Sequence, residues 1–254
     1  DNDGDIDLVV TNFENEPNGL YQNRGTGFFP YASFPAGIAL VSLRYLSFGI
    51  GFIDYDNDGY QDLFVANGHV LDNTSAFNKS SSYAQPNQLL RNQGPDTHGQ
   101  YRFIDITSQA GTALALARVG RGCAVGDYDN DGDADIVISN SGQTAALLRN
   151  EGGDTSHWLT ISTRGGPSNR DGIGARIEVW AGDLYQVREI RGSFSYLSRR
   201  DLRVSFGLGT RTWVDSVRIR WPSGGVERLA GLRSDQFVTL VEGEVGQPDP
   251  PHAQ

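Results

Sequence analysis

Two segments place carboxylates at alternate positions around a glycine: Asp54-Tyr55-Asp56-Asn57-Asp58-Gly59-Tyr60-Gln61-Asp62 and Asp127-Tyr128-Asp129-Asn130-Asp131-Gly132-Asp133-Ala134-Asp135. Acids at loop positions 1, 3 and 5 converge on one point only if the chain curls tightly, and a glycine at position 6 permits this by tolerating positive φ. Position 7 then offers a backbone carbonyl, from Tyr60 or Asp133, and the acid at position 9, Asp62 or Asp135, closes the shell from the start of the next strand. Carboxylates gathered this way repel one another unless a hard cation sits among them. A flexible, protein-rich oxygen cage suits Ca2+ better than magnesium, which demands near-ideal octahedral geometry and keeps several waters. A shorter copy, Asp1-Asn2-Asp3-Gly4-Asp5-Ile6-Asp7, lacks positions 1 and 2, so Asp1, Asp3, Asp5 and Asp7 supply only a partial shell. An EF-hand is excluded, because apolar strand residues follow each loop and no Glu stands at position 12. Ordinary Asp/Asn/Gly turns use the same residues, but matched recurrence ahead of strands favours metal, with calcium stapling a loop that would otherwise spring apart.

The rest of the composition agrees. The chain of 254 residues carries 21 Lys and Arg against 31 Asp and Glu, a net charge of −10. Thirteen of those acids lie in the three loops, so the remainder of the chain, with 18 acids against 21 bases, is +3. The acidity is local and asks for a cation, and the absence of basic clusters disfavours a nucleic-acid partner. No apolar run reaches the roughly 18 to 20 residues of a membrane-spanning helix. One cysteine, Cys123, excludes an internal disulfide and a Cys-based zinc site. The chain opens on Asp1 and holds no methionine, which reads as a processed product or a fragment.

The loops belong to longer repeats. Each is followed by an apolar strand ending in Asn12, Asn67 or Ser139-Asn140, and then by a second matched stretch: Asn18-Gly19-Leu20-Tyr21-Gln22-Asn23, Asn87-Gln88-Leu89-Leu90-Arg91-Asn92 and Ala145-Ala146-Leu147-Leu148-Arg149-Asn150. The loops start 55 and 73 residues apart, and the middle repeat carries a polar insertion of about 14 residues within 68–85, read as an exposed loop. Glycine-punctuated strands precede the second and third loops, at Phe48-Gly49-Ile50-Gly51-Phe52-Ile53 and Arg121-Gly122-Cys123-Ala124-Val125-Gly126. Units of several short strands suit propeller blades better than helical solenoids. No segment shows sustained helical periodicity apart from an Ala-Leu stretch at 112–117.

From about residue 154 the repeat gives way to alternating strands at 158–162, 175–180, 187–190, 202–206, 217–221 and 237–241, separated by turn residues. The expected fold is all-β: a partial β-propeller of about two to three blades over residues 1–153, then a small antiparallel sandwich-like domain over 154–244 and a disordered tail over 245–254.

The pattern D-x-D-x-D-G-x-x-D, then L-x-V-x-N and N-x-L-x-x-N-x-G, resembles the FG-GAP/VCBS repeats of calcium-binding β-propellers such as those of integrin α chains. The C-terminal region resembles the ASPIC/UnbV domain through Asn169-Arg170-Asp171-Gly172-Ile173-Gly174-Ala175-Arg176, Arg191-Gly192-Ser193-Phe194-Ser195-Tyr196-Leu197-Ser198, Phe206-Gly207-Leu208-Gly209 and Trp221-Pro222-Ser223-Gly224. That tandem order is similar to the cartilage acidic protein family, and the resemblance implies a propeller ending in a small β domain. The expected family pattern has His where Ser205 stands and Ala where Gly172 stands. A complete propeller of this type has about seven blades, so two and a fraction leave faces uncovered, and self-association of the isolated chain is expected.

The function expected is a calcium-binding extracellular adhesion or recognition module, non-enzymatic, secreted or at the cell surface or in the periplasm, with a protein or glycan ligand. The alternative is an enzyme or a biosynthetic accessory protein. Against it, the four histidines are scattered and no nucleophile elbow surrounds Ser193, Ser195 or Ser198. Asn169-Arg170-Asp171 and Arg199-Arg200-Asp201 are polar clusters more suited to pairing with one another than to a ligand. Trp180, Trp213 and Trp221 are expected in the core, and Asn73 and Asn78 head glycosylation sequons.

Overall fold

The computed structural model describes residues 1–152 and 155–244. The first repeat pairs β1 (Leu8–Val10) with β2 (Gly19–Tyr21), and a bridge from Tyr21 to Tyr31 extends this ribbon. After a short helix α1 (Ile38–Ser42), the second repeat forms a four-stranded antiparallel sheet from β3 (Ser47–Ile53), β4 (Asp62–Asn67), β5 (Gln88–Pro95) and β6 (Tyr101–Asp105). The third forms a three-stranded sheet from β7 (Gly120–Gly126), β8 (Asp135–Asn140) and β9 (Ala146–Leu148). In the second and third sheets the Asp loop is the turn between the first and second strands, so the period of the loops is the period of the sheets.

The sheets stack face to face, and β4 shows how one strand serves two interfaces. Successive side chains point to opposite faces. Leu63 and Val65 pack with Leu20, Ala36 and Val9 of the first repeat, whereas Phe64 and Ala66 pack with Cys123, Ile136 and Ile138 of the third. Every residue of β4 is buried. The same rule applied to the outer repeats leaves Leu8 and Val10 exposed on one end of the stack and Val137 on the other. Close strand approach explains the glycines of β3, since a Cβ at Gly49 would lie 2.7 Å from the Arg121 carbonyl oxygen.

Beyond the repeats, β10 (His157–Arg164), β13 (Val204–Gly209) and β16 (Gln236–Val241) form one sheet. The other holds β11 (Arg176–Ala181), β12 (Leu184–Glu189), β14 (Trp213–Arg220) and β15 (Val226–Arg233). Their inner faces make one core, in which Leu159, Ile161, Phe206 and Leu208 meet Ile177, Val179, Val217 and Ile219, with Trp221 buried beside them. Trp221 keeps its indole N–H satisfied by donating to Glu227 Oε2 at 2.5 Å. The fold is nearly all-β and among the described residues none of the sheets is closed, consistent with a partial propeller and a sandwich-like domain.

Several particulars depart from the expectation. β10 and β16 run parallel, because β16 returns across the sandwich to the free edge of β10. β15 had no alternating signature, since it is an edge strand broken by Gly231 at φ 73°. Helix α1 has five residues, too few for periodicity to register, and 112–117 forms turns. The insertion is exposed over most of 70–82, as expected, but it is anchored: His69, Thr74, Ser81 and Gln85 are buried, and Asn78 donates to Glu14 Oε1 at 3.1 Å. Trp213 is 48% exposed rather than in the core. The tail expected over 245–254, and the domain boundary at 153 and 154, lie outside the described residues.

Phe64 and Val137 occupy the same repeat position, one covered and one open. Phe64→Ala is expected to lower unfolding stability by about 3 to 5 kcal/mol through cavity formation, and Val137→Ala by less than about 0.5 kcal/mol, as for surface sites. Urea unfolding of both variants checks this, and equal losses would contradict the stacking.

Candidate metal centre

The three Asp loops share one backbone. Position 4 is asparagine in each, in the left-handed region at φ 57° for Asn2, 52° for Asn57 and 62° for Asn130. Position 6 is glycine at φ 101°, 97° and 96° for Gly4, Gly59 and Gly132. Asparagine is among the few residues with a side chain that adopt this conformation readily. Two successive reversals curl the chain so that backbone amides point inward to the acids. Gly59 N–H donates to Asp54 Oδ2 at 3.1 Å, and Gly132 N–H to Asp127 Oδ2 at 3.1 Å. Tyr60 and Asp133 donate likewise to Asp58 and Asp131.

The position 9 acids bind the loop to the sheet. Asp62 accepts from Tyr55 N–H at 3.1 Å and from Asn92 N–H at 2.8 Å, and Asp135 from Tyr128 N–H and Asn150 N–H, both at 2.8 Å. Asp7 accepts from Asn23 N–H at 2.8 Å in the first repeat. This explains the matched Asn of the second repeat motif: its amide meets the acid, and its side-chain oxygen accepts from the following Gly25, Gly94 or Gly152 N–H.

Carboxylate oxygens of Asp54, Asp56 and Asp58 lie within 4.8 Å of one another, as do those of Asp127, Asp129 and Asp135. Asp62, Asp131 and Asp133 belong to the same loops but stand outside these carboxylate groups, and among the described residues Asp1, Asp3, Asp5 and Asp7 form no such group. The second loop is the more enclosed. Asp54 is 5% exposed, and Oδ1 of Asp54 and Oδ1 of Asp56 are buried without a hydrogen-bond partner. Unsatisfied anionic oxygens in such a place are costly. Burial, and next Asp58, pushes the Asp54 carboxyl up to about 8, and burial with Asp54 pushes Asp62 up to about 9. Burial raises Asp58, Asp127 and Asp135 as well. A set of hard oxygen donors with two orphaned buried oxygens fits a divalent cation.

Two features were not read from the sequence. First, arginines stand over the acids: Arg91 Nη2 lies 2.8 Å from Asp56 and 3.4 Å from Asp58, and Arg149 Nε lies 2.6 Å from Asp129. Both come from the same repeat position, where the first repeat has Gln22, 3.4 Å from Asp1. The matched Leu-Leu-Arg-Asn stretches carried this signal. Second, the loops are linked in series. Asn2 Nδ2 donates to Gly59 O at 3.0 Å, Asn57 Nδ2 to Gly132 O at 3.2 Å, and Asn130 Oδ1 accepts from Arg203 Nη1 at 2.6 Å. Arg203 Nη2 also donates to Asp127 O at 2.8 Å.

The second β unit therefore lies directly on the loops. The position 6 glycines are pressed by Tyr185, Leu184 and Trp158 respectively, and Gly207 sits against Asp54 and Asn57 where any side chain would collide. Ser195, one of the serines considered as a nucleophile, instead accepts from Ile50 N–H at 2.8 Å, and Arg170 pairs with Asp171 at 2.9 Å.

The repeats so built match the FG-GAP-like repeat model over residues 1–65 and 54–138. The chain belongs to the FG-GAP-like repeat family. The ASPIC and UnbV model matches residues 165–247 of this FG-GAP-like protein. It is similar to cartilage acidic protein 1 of Homo sapiens, 28% identical over 236 residues, covering 87% of this chain and 32% of that protein. The Mus musculus protein of that name is 25% identical over 274 residues, covering 90% of this chain and 41% of its own length. The Xenopus tropicalis one is 23% identical over 258 residues, with 84% and 39% covered. The FG-GAP-like chain thus spans 32% to 41% of the length of these curated relatives.

Asn57 combines a left-handed backbone with a bond to the next loop. Asn57→Ala is expected to cost about 2 kcal/mol from conformational strain and the lost bond, and Asn57→Gly less, because glycine removes the strain alone. Chemical denaturation of the two variants checks the order, and Gly costing more than Ala would contradict this role.

Proposed function

We propose that the chain is a calcium-stabilised, non-enzymatic recognition module that acts outside the cell or in the periplasm, with the cation held in the second and third Asp loops. The observation that carries this reading is the enclosed triad Asp54, Asp56 and Asp58 with its two orphaned buried oxygens. Asp54, Asp56 and Asp58 would hold one ion, with the Tyr60 carbonyl and Asp62 beside them. Asp127, Asp129 and Asp135 would hold the other, beside Asp131 and Asp133. The cation supplies charge neutralisation, and its binding energy adds to the stability of the fold. Loops without a high-affinity cage fill at the millimolar calcium found outside cells, which supports the location.

The non-enzymatic part of the reading is supported by how the reactive groups are used. Cys123 is buried and its thiol is pushed up to about 11 by burial, away from the nucleophilic thiolate. His157, Asp235 and Ser234 lie together, but Asp235 Oδ2 at 2.7 Å and Ser234 Oγ at 3.3 Å both meet the same ring nitrogen, Nδ1. A relay needs the nucleophile on one nitrogen and the acid on the other. For recognition, the exposed aromatic stretch Phe28, Phe29, Tyr31 and Phe34 is the kind of surface that meets a protein or a glycan.

Calorimetric titration with calcium, paired with thermal unfolding in calcium and in EDTA, tests the proposal. Two sites are expected in the wild type and one in the Asp129→Ala, Asp131→Ala double variant. At calcium a hundredfold above Kd, one site adds about 2.7 kcal/mol of stability. Absence of calcium uptake, or uptake that leaves unfolding unchanged, would overturn it.

A further inference from the structure

We propose that Arg91 and Arg149 are built-in counter-charges that hold the acids of their loops together before the cation arrives and set the calcium concentration at which each loop fills. This rests on the calcium reading above and adds residues to it. The first support is placement. Arg91 and Arg149 occupy the same position of the repeat, on or just after the second strand beyond each loop, and each reaches back over the acids at loop positions 3 and 5. Arg91 reaches Asp56 and Asp58 through Nη2. Arg149 reaches Asp129 through Nε and Asp131 through Nη2, the latter at 3.9 Å.

The second support is which atoms the guanidinium takes. Arg91 Nη2 meets Oδ2 of Asp56 and Oδ2 of Asp58, while Oδ1 of Asp54 and Oδ1 of Asp56 stay buried and unpartnered. The arginine therefore occupies the outer oxygens and leaves inner ones for a cation. It neutralises part of the loop charge without closing the site, and Nε of Arg91 is itself buried without a partner. Other arginines of the chain grip a carboxylate with two nitrogens: Arg170 on Asp171, Arg191 on Glu189 and Arg211 on Asp183. Arg91 is a spanning charge across two acids rather than a fork on one.

The sign of the effect follows from charge. A fixed positive charge a few ångströms from a dication opposes its binding, and the same charge stabilises three crowded carboxylates when the dication is absent. Both arginine side chains are about half exposed, at 42% and 50%, so solvent screens the effect without removing it. Arg149 also lies 3.4 Å from Glu151, which offers it a second partner when the loop fills. Gln22 fills the position in the first repeat without a charge.

Calcium titration and thermal unfolding in EDTA on the full chain, for the wild type, Arg91→Gln, Arg149→Gln and Arg91→Lys, test the inference. Each Gln variant is expected to bind calcium more tightly, by roughly a factor of five or less, at one of the two sites, because a half-exposed charge is largely screened by solvent. Each should also melt earlier than wild type in EDTA, and Arg91→Lys should keep the wild-type affinity because it keeps the charge. Gln variants that bind calcium equally or more weakly would overturn the inference and leave the calcium reading standing. A wild type that takes no calcium would overturn both.

Discussion

The mutual repulsion of carboxylates gathered in a nine-residue loop is the constraint around which this chain is organised. Three acids whose oxygens lie within 4.8 Å of one another cannot sit there unassisted. Every nearby feature reduces that cost: inward backbone amides, an arginine across the outer oxygens, and a position 9 acid tied to the third strand. The left-handed Asn and Gly exist to aim the amides. What remains is the pair of orphaned oxygens on Asp54 and Asp56, the part of the charge the protein itself does not answer.

The loops also determine where the second β unit rests. Because a curled loop projects only a glycine at its crest, the surface above each is flat enough for Tyr185, Leu184 or Trp158 to lie against the backbone. Gly207 meets the second loop in the same way. The motif Phe206-Gly207-Leu208-Gly209 thus alternates between the sandwich core, through Phe206 and Leu208, and the loop surface, through Gly207, while Gly209 N–H donates to Asn57 O at 2.8 Å.

Much of this was legible in the sequence, and the physical reasons differ by element. The Asp loops stood out because local chain curvature demands specific residue types at fixed spacing, and short-range demands survive in the one-dimensional pattern. Most sandwich strands were legible because one face is wet and the other dry. β15 was not, because its inward positions mix Glu227 with Leu229, its outward Val226 is apolar, and Gly231 shifts the phase before Leu232. The parallel return of β16 leaves no mark on its own residues. The burial of His69, Thr74 and Ser81 within a polar insertion depends on partners such as Glu14, far away in the chain. Arg91 and Arg149 stood in plain view within the repeat alignment, but their relation to the acids is made by a fold of the sheet that spacing alone does not express.

The single strand that serves two interfaces has an evolutionary consequence. In β4 the residues facing the preceding sheet and those facing the following one alternate, so a unit copied whole carries both halves of the contact with it. Such a copy is compatible with its own parent, and growth by duplication needs no new surface. The contact of Arg203 with Asn130 and Asp127 is different in kind, because it joins the last repeat to something that is not a repeat. Because the second β unit also rests on Gly4 through Tyr185 and on Gly59 through Leu184, copies added ahead of the first loop need no new surface, while the three repeats beneath that unit are held in fixed order.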